Sequence, residues 1–168
     1  VVGRFNEVVT SRLLQGAMQE LVVGDPRRLA TDIGPVIDGG ALAELSAHAE
    51  RMEKEFKLLA QAPLQPNLDG HFLAPCAFEI GSIRDLDKEY FGPILHVVRY
   101  PGRELDRVID DINGTGYGLT LGVHSRIDGK VRQIVERLRV GNAYVNRNMI
   151  GAVVGVQPFG GEGLSGTG

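Results

Sequence analysis

Cysteine is nearly missing from this sequence of 168 residues. Cys76 stands alone, which rules out an intrachain disulfide and suits a reducing, cytoplasmic setting. Basic clusters are missing too: 18 Lys and Arg against 21 Asp and Glu give a formal net charge of −3. A chain so balanced offers no patch to a phosphate backbone, so nucleic acid is not an expected partner. Apolar runs such as Ala152-Val153-Val154 are far too short to cross a bilayer, and no transmembrane segment is expected. No signal-peptide pattern opens the chain. His48, His71, His96 and His124 lack the His-x-x-x-His or His-x-His spacing of a zinc site, so no metal is expected. The acidic pairs Asp110-Asp111 and Asp85/Asp87 read as solvated faces or caps. Internal repeats and low-complexity segments are absent.

What is present is ordinary for a globular protein: 43% hydrophobic and 23% charged residues, in a length that suits one domain with a single core. Glycine is the exception, at 23 residues, about twice the usual share, with the excess near the C-terminus. The chain opens at Val1-Val2-Gly3 without Met and stops in Ser165-Gly166-Thr167-Gly168. Both ends read as cuts through a longer polypeptide, and a fragment is expected.

Apolar residues at Val9, Leu13, Ala17 and Leu21 predict a helix over residues 6–22, ended by Gly24-Asp25-Pro26. Leu42, Leu45, Ala49, Met52, Phe56 and Leu59 predict a second over 41–59, with residues 57–62 as an alternative strand. Residues 32–37 read as a loop and 67–70 as a turn. Pro75 interrupts the extended stretch that follows, so a paired strand is expected at 76–80. Strands are predicted at 94–100, 119–125 and 142–146, and an amphipathic helix at 103–113. Asp128 is the expected N-cap of a further helix, with Gly141 at its left-handed C-terminal position. Alternating buried strands and helices place the chain in the α/β class, a mostly parallel sheet covered by helices.

Three stretches could carry chemistry. Lys88-Glu89-Tyr90-Phe91-Gly92-Pro93 sets a carboxylate and an aromatic ring just ahead of a strand. The carboxylate could accept hydrogen bonds from a ribose diol while the ring lies against a planar heterocycle; equally, this is a charged loop with a Gly-Pro turn. Asn113-Gly114-Thr115-Gly116-Tyr117-Gly118-Leu119-Thr120 is a helix-to-strand connector. Gly141-Asn142-Ala143-Tyr144-Val145-Asn146 runs into a glycine-rich segment ending Pro158-Phe159-Gly160-Gly161. Backbone N–H groups there could bind a carboxylate, or the segment is a surface loop. A phosphate loop is disfavoured, because no Gly-Lys-Ser/Thr ending follows.

Taken in this order, Glu-x-Phe-Gly-Pro, Asn-x-x-x-Tyr-Gly-Leu, Gly-Asn-x-Tyr-Val-Asn and Pro-Phe-Gly-Gly resemble the aldehyde dehydrogenase superfamily over essentially the whole chain. Residues 91–100 and 151–168 look most like the pyrroline-5-carboxylate dehydrogenase domain of the bifunctional proline utilisation A flavoenzymes. The resemblance implies that residues 1–168 are a fragment of the catalytic domain, with the dinucleotide-binding domain absent. It implies an NAD-dependent oxidation of L-glutamate γ-semialdehyde to glutamate in proline catabolism; any FAD would belong to a separate proline dehydrogenase domain. In the family, a Cys thiolate attacks the aldehyde, hydride passes to NAD(P)+, and water activated by a Glu hydrolyses the thioester.

By the same resemblance, Glu89 matches the carboxylate that holds the nicotinamide ribose and Phe91 the ring beside the nicotinamide. Ile150, Gly151 and Ala152 match a loop that anchors the substrate carboxylate through its backbone, and Phe159 lines the aldehyde tunnel. Catalytic residues are expected outside this sequence. Cys76, between Pro75 and Ala77 at a strand start, is expected to be a structural thiol. The fragment is therefore expected to be inactive alone, and the parent to be a homo-oligomer. The rival reading is a non-catalytic or degenerate dehydrogenase-like domain serving structure or oligomerisation.

Overall fold

The computed structural model describes residues 7–150, 155–157 and 160–166, with side chains from residue 11 onward. The chain falls into two compact units, Val1–Tyr100 and Pro101–Gly168.

The first unit holds α1 (Glu7–Glu20), α2 (Gly39–Glu55), β1 (Lys57–Gln61), β2 (Cys76–Ile80) and β3 (Ile94–Val98). The strands form one sheet in the order β1-β2-β3, with β1 antiparallel and β3 parallel to β2. Side chains alternate across a strand, and the two faces are filled accordingly. Ala77, Leu95 and Val97 join Leu59, Ala60 and Ala62 against Leu14, Met18 and Leu21 of the first helix region. Cys76, Phe78, Ile80, Ile94 and Val98 meet Ala49, Met52 and Phe56 on and just after α2. A bulge between Leu58 and Ala60 lets the consecutive residues Leu59 and Ala60 both enter the first cluster. The sheet is thus covered by one helix on each side.

Several expectations need correction here. The stripe that packs, on and just after α1, is buried Met18 with partly buried Leu14 and Leu21, whereas Leu13 is exposed. Helix α2 starts earlier than its apolar pattern, because Asp38 caps it by accepting from the Ala41 N–H at 2.7 Å. It stops at Glu55, and residues 57–61 take the strand alternative. The turn expected at 67–70 lies at 66–67, with Asn67 at positive φ, and the chain bends again at Gly70, also at positive φ.

The second unit holds α3 (Leu105–Gly114), β4 (Tyr117–Gly118), β5 (Thr120–Val123), α4 (Asp128–Arg137), β6 (Asn142–Val145) and β7 (Glu162–Gly163). Strands β5 and β6 pair in parallel, with α4 as their crossover, and β4 pairs antiparallel with β7. The latter pairing gives the glycine-rich tail a short strand that its sequence did not announce. Asn113 ties α3 to the end of α4: its Nδ2 donates to the Arg137 carbonyl and its Oδ1 accepts from the Arg139 N–H.

Three further readings change in this unit. Asp128 is the first residue of α4 rather than its cap, a place taken by Ile127 without a side-chain bond. Gly141 is not left-handed; a Cβ there would collide with the Gly160 carbonyl, so the position is glycine for close approach. Asp111 is buried and paired with Arg107 at 3.4 Å, not a solvated face. The α/β class holds, with parallel pairing in β2–β3 and β5–β6 and antiparallel pairing in β1–β2 and β4–β7.

Candidate functional site

Parallel strands cannot be joined by a tight hairpin; the chain must travel back past the sheet before it can start again in the same direction. Residues 81–93 make that return between β2 and β3, and they contain Glu89 and Phe91. The path begins in a short 3-10 turn, Ile83–Asp85, closed by a reciprocal cap between Ser82 and Asp85. It ends at Pro93, whose carbonyl accepts from the Cys76 N–H at 3.1 Å, and at Gly92, whose carbonyl accepts from the Ile94 N–H at 2.8 Å.

Between those ends the return is fastened to α2. Lys88 Nζ pairs with Glu44 Oε1 at 2.6 Å. The Tyr90 ring stacks on the His48 imidazole, with centroids 3.4 Å apart and planes 17° from parallel. The Tyr90 hydroxyl donates to Asp87 Oδ1 at 2.8 Å, and Asp87 faces Arg51 at 3.5 Å. Gly92 lies so close to α2 that a Cβ would sit 2.5 Å from Leu45 Cδ1. Glu44, Leu45, His48 and Arg51 share one helix face by their spacing. The segment is irregular in conformation but held at four places.

Glu89 stands in the middle of this seating, exposed, and no described residue bonds its carboxylate. Phe91 is 86% exposed. An exposed carboxylate two residues from an exposed phenyl ring is chemistry that suits a ligand with a diol and a flat apolar part. Ile150 belongs to the second unit and is also exposed. Its N–H is taken by Asn148 Oδ1 at 2.8 Å. Gly151, Ala152 and Phe159 lie outside the described residues. The turn that leads to Ile150 is set by Asn146, at φ 53°, whose amide exchanges two bonds of 2.9 Å with the Ser125 backbone.

Cys76 is 1% exposed, and burial, with the Glu53 charge, pushes its thiol up to about 11. Such a thiol is a packing group and not a nucleophile at neutral pH.

The family model "Aldehyde dehydrogenase family" matches residues 3–168. The chain belongs to the aldehyde dehydrogenase family. Among curated relatives, bifunctional protein PutA of Klebsiella aerogenes is 52% identical over 165 residues, which cover 95% of this chain and 13% of that one. Among solved structures, a variant of proline utilization A from Bradyrhizobium japonicum has 55% identity and a TM-score of 0.89, over 96% of this chain and 16% of that one. A 1-pyrroline-5-carboxylate dehydrogenase from Thermus, solved with bound NAD, has 36% identity and a TM-score of 0.81, over 96% and 31%. This chain therefore spans about an eighth of the PutA length and under a third of that dehydrogenase. The likeness to the aldehyde dehydrogenase family and to these relatives agrees with the resemblance drawn from the four motifs.

What the motifs did not show is the grouping behind Glu89. His48 and His96, far apart in sequence, face each other with Nε2 atoms 2.9 Å apart. The signal was available: His48 lies three residues after Leu45 and four before Met52, on the buried face of α2, and His96 alternates with Ile94 and Val98. Among the described residues no group of three or more His, Cys, Asp or Glu is placed to hold a metal. No described helix is long and apolar enough to cross a membrane.

Proposed function

We propose that this chain is part of an NAD-dependent dehydrogenase that oxidises L-glutamate γ-semialdehyde, the open form of pyrroline-5-carboxylate, to glutamate. The observation that carries the reading is the return loop seated on α2, which leaves Glu89 and Phe91, two residues apart, exposed in a chain 52% identical to PutA over 165 residues. NAD, when bound, supplies the hydride acceptor. Glu89 accepts hydrogen bonds from the two hydroxyls of the nicotinamide ribose, which a carboxylate does without a proton of its own. Phe91 covers one side of the nicotinamide and keeps water from it. The substrate carboxylate is met by the backbone of Ile150, Gly151 and Ala152, at the end of the turn in which the Ile150 N–H donates to Asn148 Oδ1, and Phe159 lines its approach. The nucleophile and the general base lie outside this sequence, since the thiol of Cys76 is buried. A buried lone thiol also suits the reducing cytoplasm.

The test uses the polypeptide in which this chain occurs, assayed by NADH formation with pyrroline-5-carboxylate and with a simple aliphatic aldehyde. Turnover of the first at much higher kcat/KM is expected, and Glu89→Ala should raise KM for NAD+ about tenfold. Equal turnover of both aldehydes overturns the substrate assignment, and no turnover of either favours a non-catalytic domain.

A further inference from the structure

The residues that flank Glu89 do more than hold a loop. Lys88 is bonded to Glu44 and Tyr90 is stacked on His48, so both neighbours of the carboxylate are fixed to the same helix face, one turn apart. His48 is itself fixed at both edges. Arg51 Nη2 approaches its Nδ1 at 3.4 Å and His96 Nε2 lies 2.9 Å from its Nε2. Arginine can only donate, so Nδ1 of His48 accepts, its Nε2 carries the proton, and His96 Nε2 accepts in turn. The imidazole therefore cannot swing, and its flat face is what Tyr90 rests on. Tyr90, Asp87, Arg51 and His48 close a ring of four side chains joined by a stack, a hydrogen bond of 2.8 Å, and approaches of 3.5 and 3.4 Å.

We infer that His48 and Tyr90, with the Lys88–Glu44 pair, are positioning residues that set the reach of the Glu89 carboxylate toward the ribose of the nicotinamide nucleotide. The inference rests on the proposed role of Glu89. Its physical ground is that a carboxylate accepting two hydroxyls must be placed to within a fraction of an ångström, and an irregular segment gains that only from its supporting contacts. None of the four supporting groups needs to touch the nucleotide.

The test is a double-mutant cycle in the polypeptide that carries this chain. Tyr90→Ala should raise KM for NAD+ about tenfold while KM for the aldehyde changes less than about twofold. Tyr90→Phe, which keeps the stack, should recover most of the loss. In a Glu89→Ala background, Tyr90→Ala should add nothing further to KM for NAD+, because the group it positions is gone. Full additivity, or an unchanged KM for NAD+ in Tyr90→Ala, overturns the inference and leaves the role of Glu89 standing. An unchanged KM in Glu89→Ala itself overturns both. Where Tyr90→Ala does not fold, Glu44→Lys replaces it, since both members of that pair are exposed and surface pairs add little stability. Glu44→Lys should raise KM for NAD+, and the charge swap Glu44→Lys with Lys88→Glu should restore it; an unchanged KM in the single variant, or a raised KM that the swap leaves raised, counts against the inference.

Discussion

His48 on α2 meets His96 on β3 through their Nε2 atoms at 2.9 Å, a contact that requires at least one lone pair and so cannot survive with both rings protonated. Burial is the main cause holding both below the ordinary histidine range, and His96 is lowered to about 4, with the charge of His48 adding to the effect. Among the described residues, Arg51, Asp87, Lys88 and Tyr90 are ionisable groups around the pair. Unfolded histidine takes up its proton near pH 6.5, roughly. Between that value and about 4 the unfolded chain binds more protons than the folded one, so stability falls as pH drops through this window and is level with respect to the pair above it. Thermal midpoints measured across the window should decline, and His96→Gln should make the decline shallower. Equal slopes for the two proteins would show that the pair is not the linked site.

Close backbone approach makes a second prediction. A Cβ at Gly118 would collide with the Arg139 carbonyl, and one at Gly141 with that of Gly160. Backbone cannot swing aside, so Gly118→Ala and Gly141→Ala should each cost about 2–3 kcal/mol in denaturant unfolding. Gly129, in α4, has nothing within 4 Å of such a Cβ, and Gly129→Ala should instead stabilise by about 0.5–1 kcal/mol. The ordering of the three midpoints is the check.

Phe91 separates binding from stability. At 86% exposure its ring contributes little to the core, so Phe91→Ala should leave the unfolding midpoint within about 0.5 kcal/mol of the original. Its KM for NAD+ should nevertheless rise about three- to tenfold. A large loss of stability would mean that the ring packs against protein.

Cys76 should resist alkylation in the native protein at pH 8, because its thiol titrates at about 11 and is almost wholly buried. Peptide mapping after iodoacetamide should find it modified only when denaturant is present. Rapid labelling under native conditions would contradict the packing of Cys76 against Met52 and Phe78.

The legible parts of the fold were those fixed by one local rule. Pro75 cannot donate to a ladder, so the strand had to begin at Cys76, and it does. The family was readable because four short motifs, the one around Glu89 and Phe91 among them, stand in a set order, and the family match over residues 3–168 agrees. The face of α1 was misread because equal steps of four drift by about 40° per step around a helix of 3.6 residues per turn; the stripe that packs, Leu14, Met18 and Leu21, takes a four and then a three. Gly141 was misread because its constraint is the carbonyl of Gly160, and no local pattern encodes a neighbour that far along the chain. The fastening of the Glu89 segment was hidden for the same reason: Glu44, His48 and Arg51 are some forty residues from their partners, and become neighbours only when α2 lies over the sheet.

The parallel pairing of β2 and β3 has one more consequence. A hairpin can be trimmed to two residues, but a same-direction pair obliges the chain to keep a detour of fixed minimum span. The detour here cannot be deleted without dissolving the sheet, so its presence is inherited with the architecture, while its contacts with α2 set its path. Chemistry written onto such an obligatory route is free to diversify by substitution, while the scaffold guarantees that there will always be something at that place to substitute.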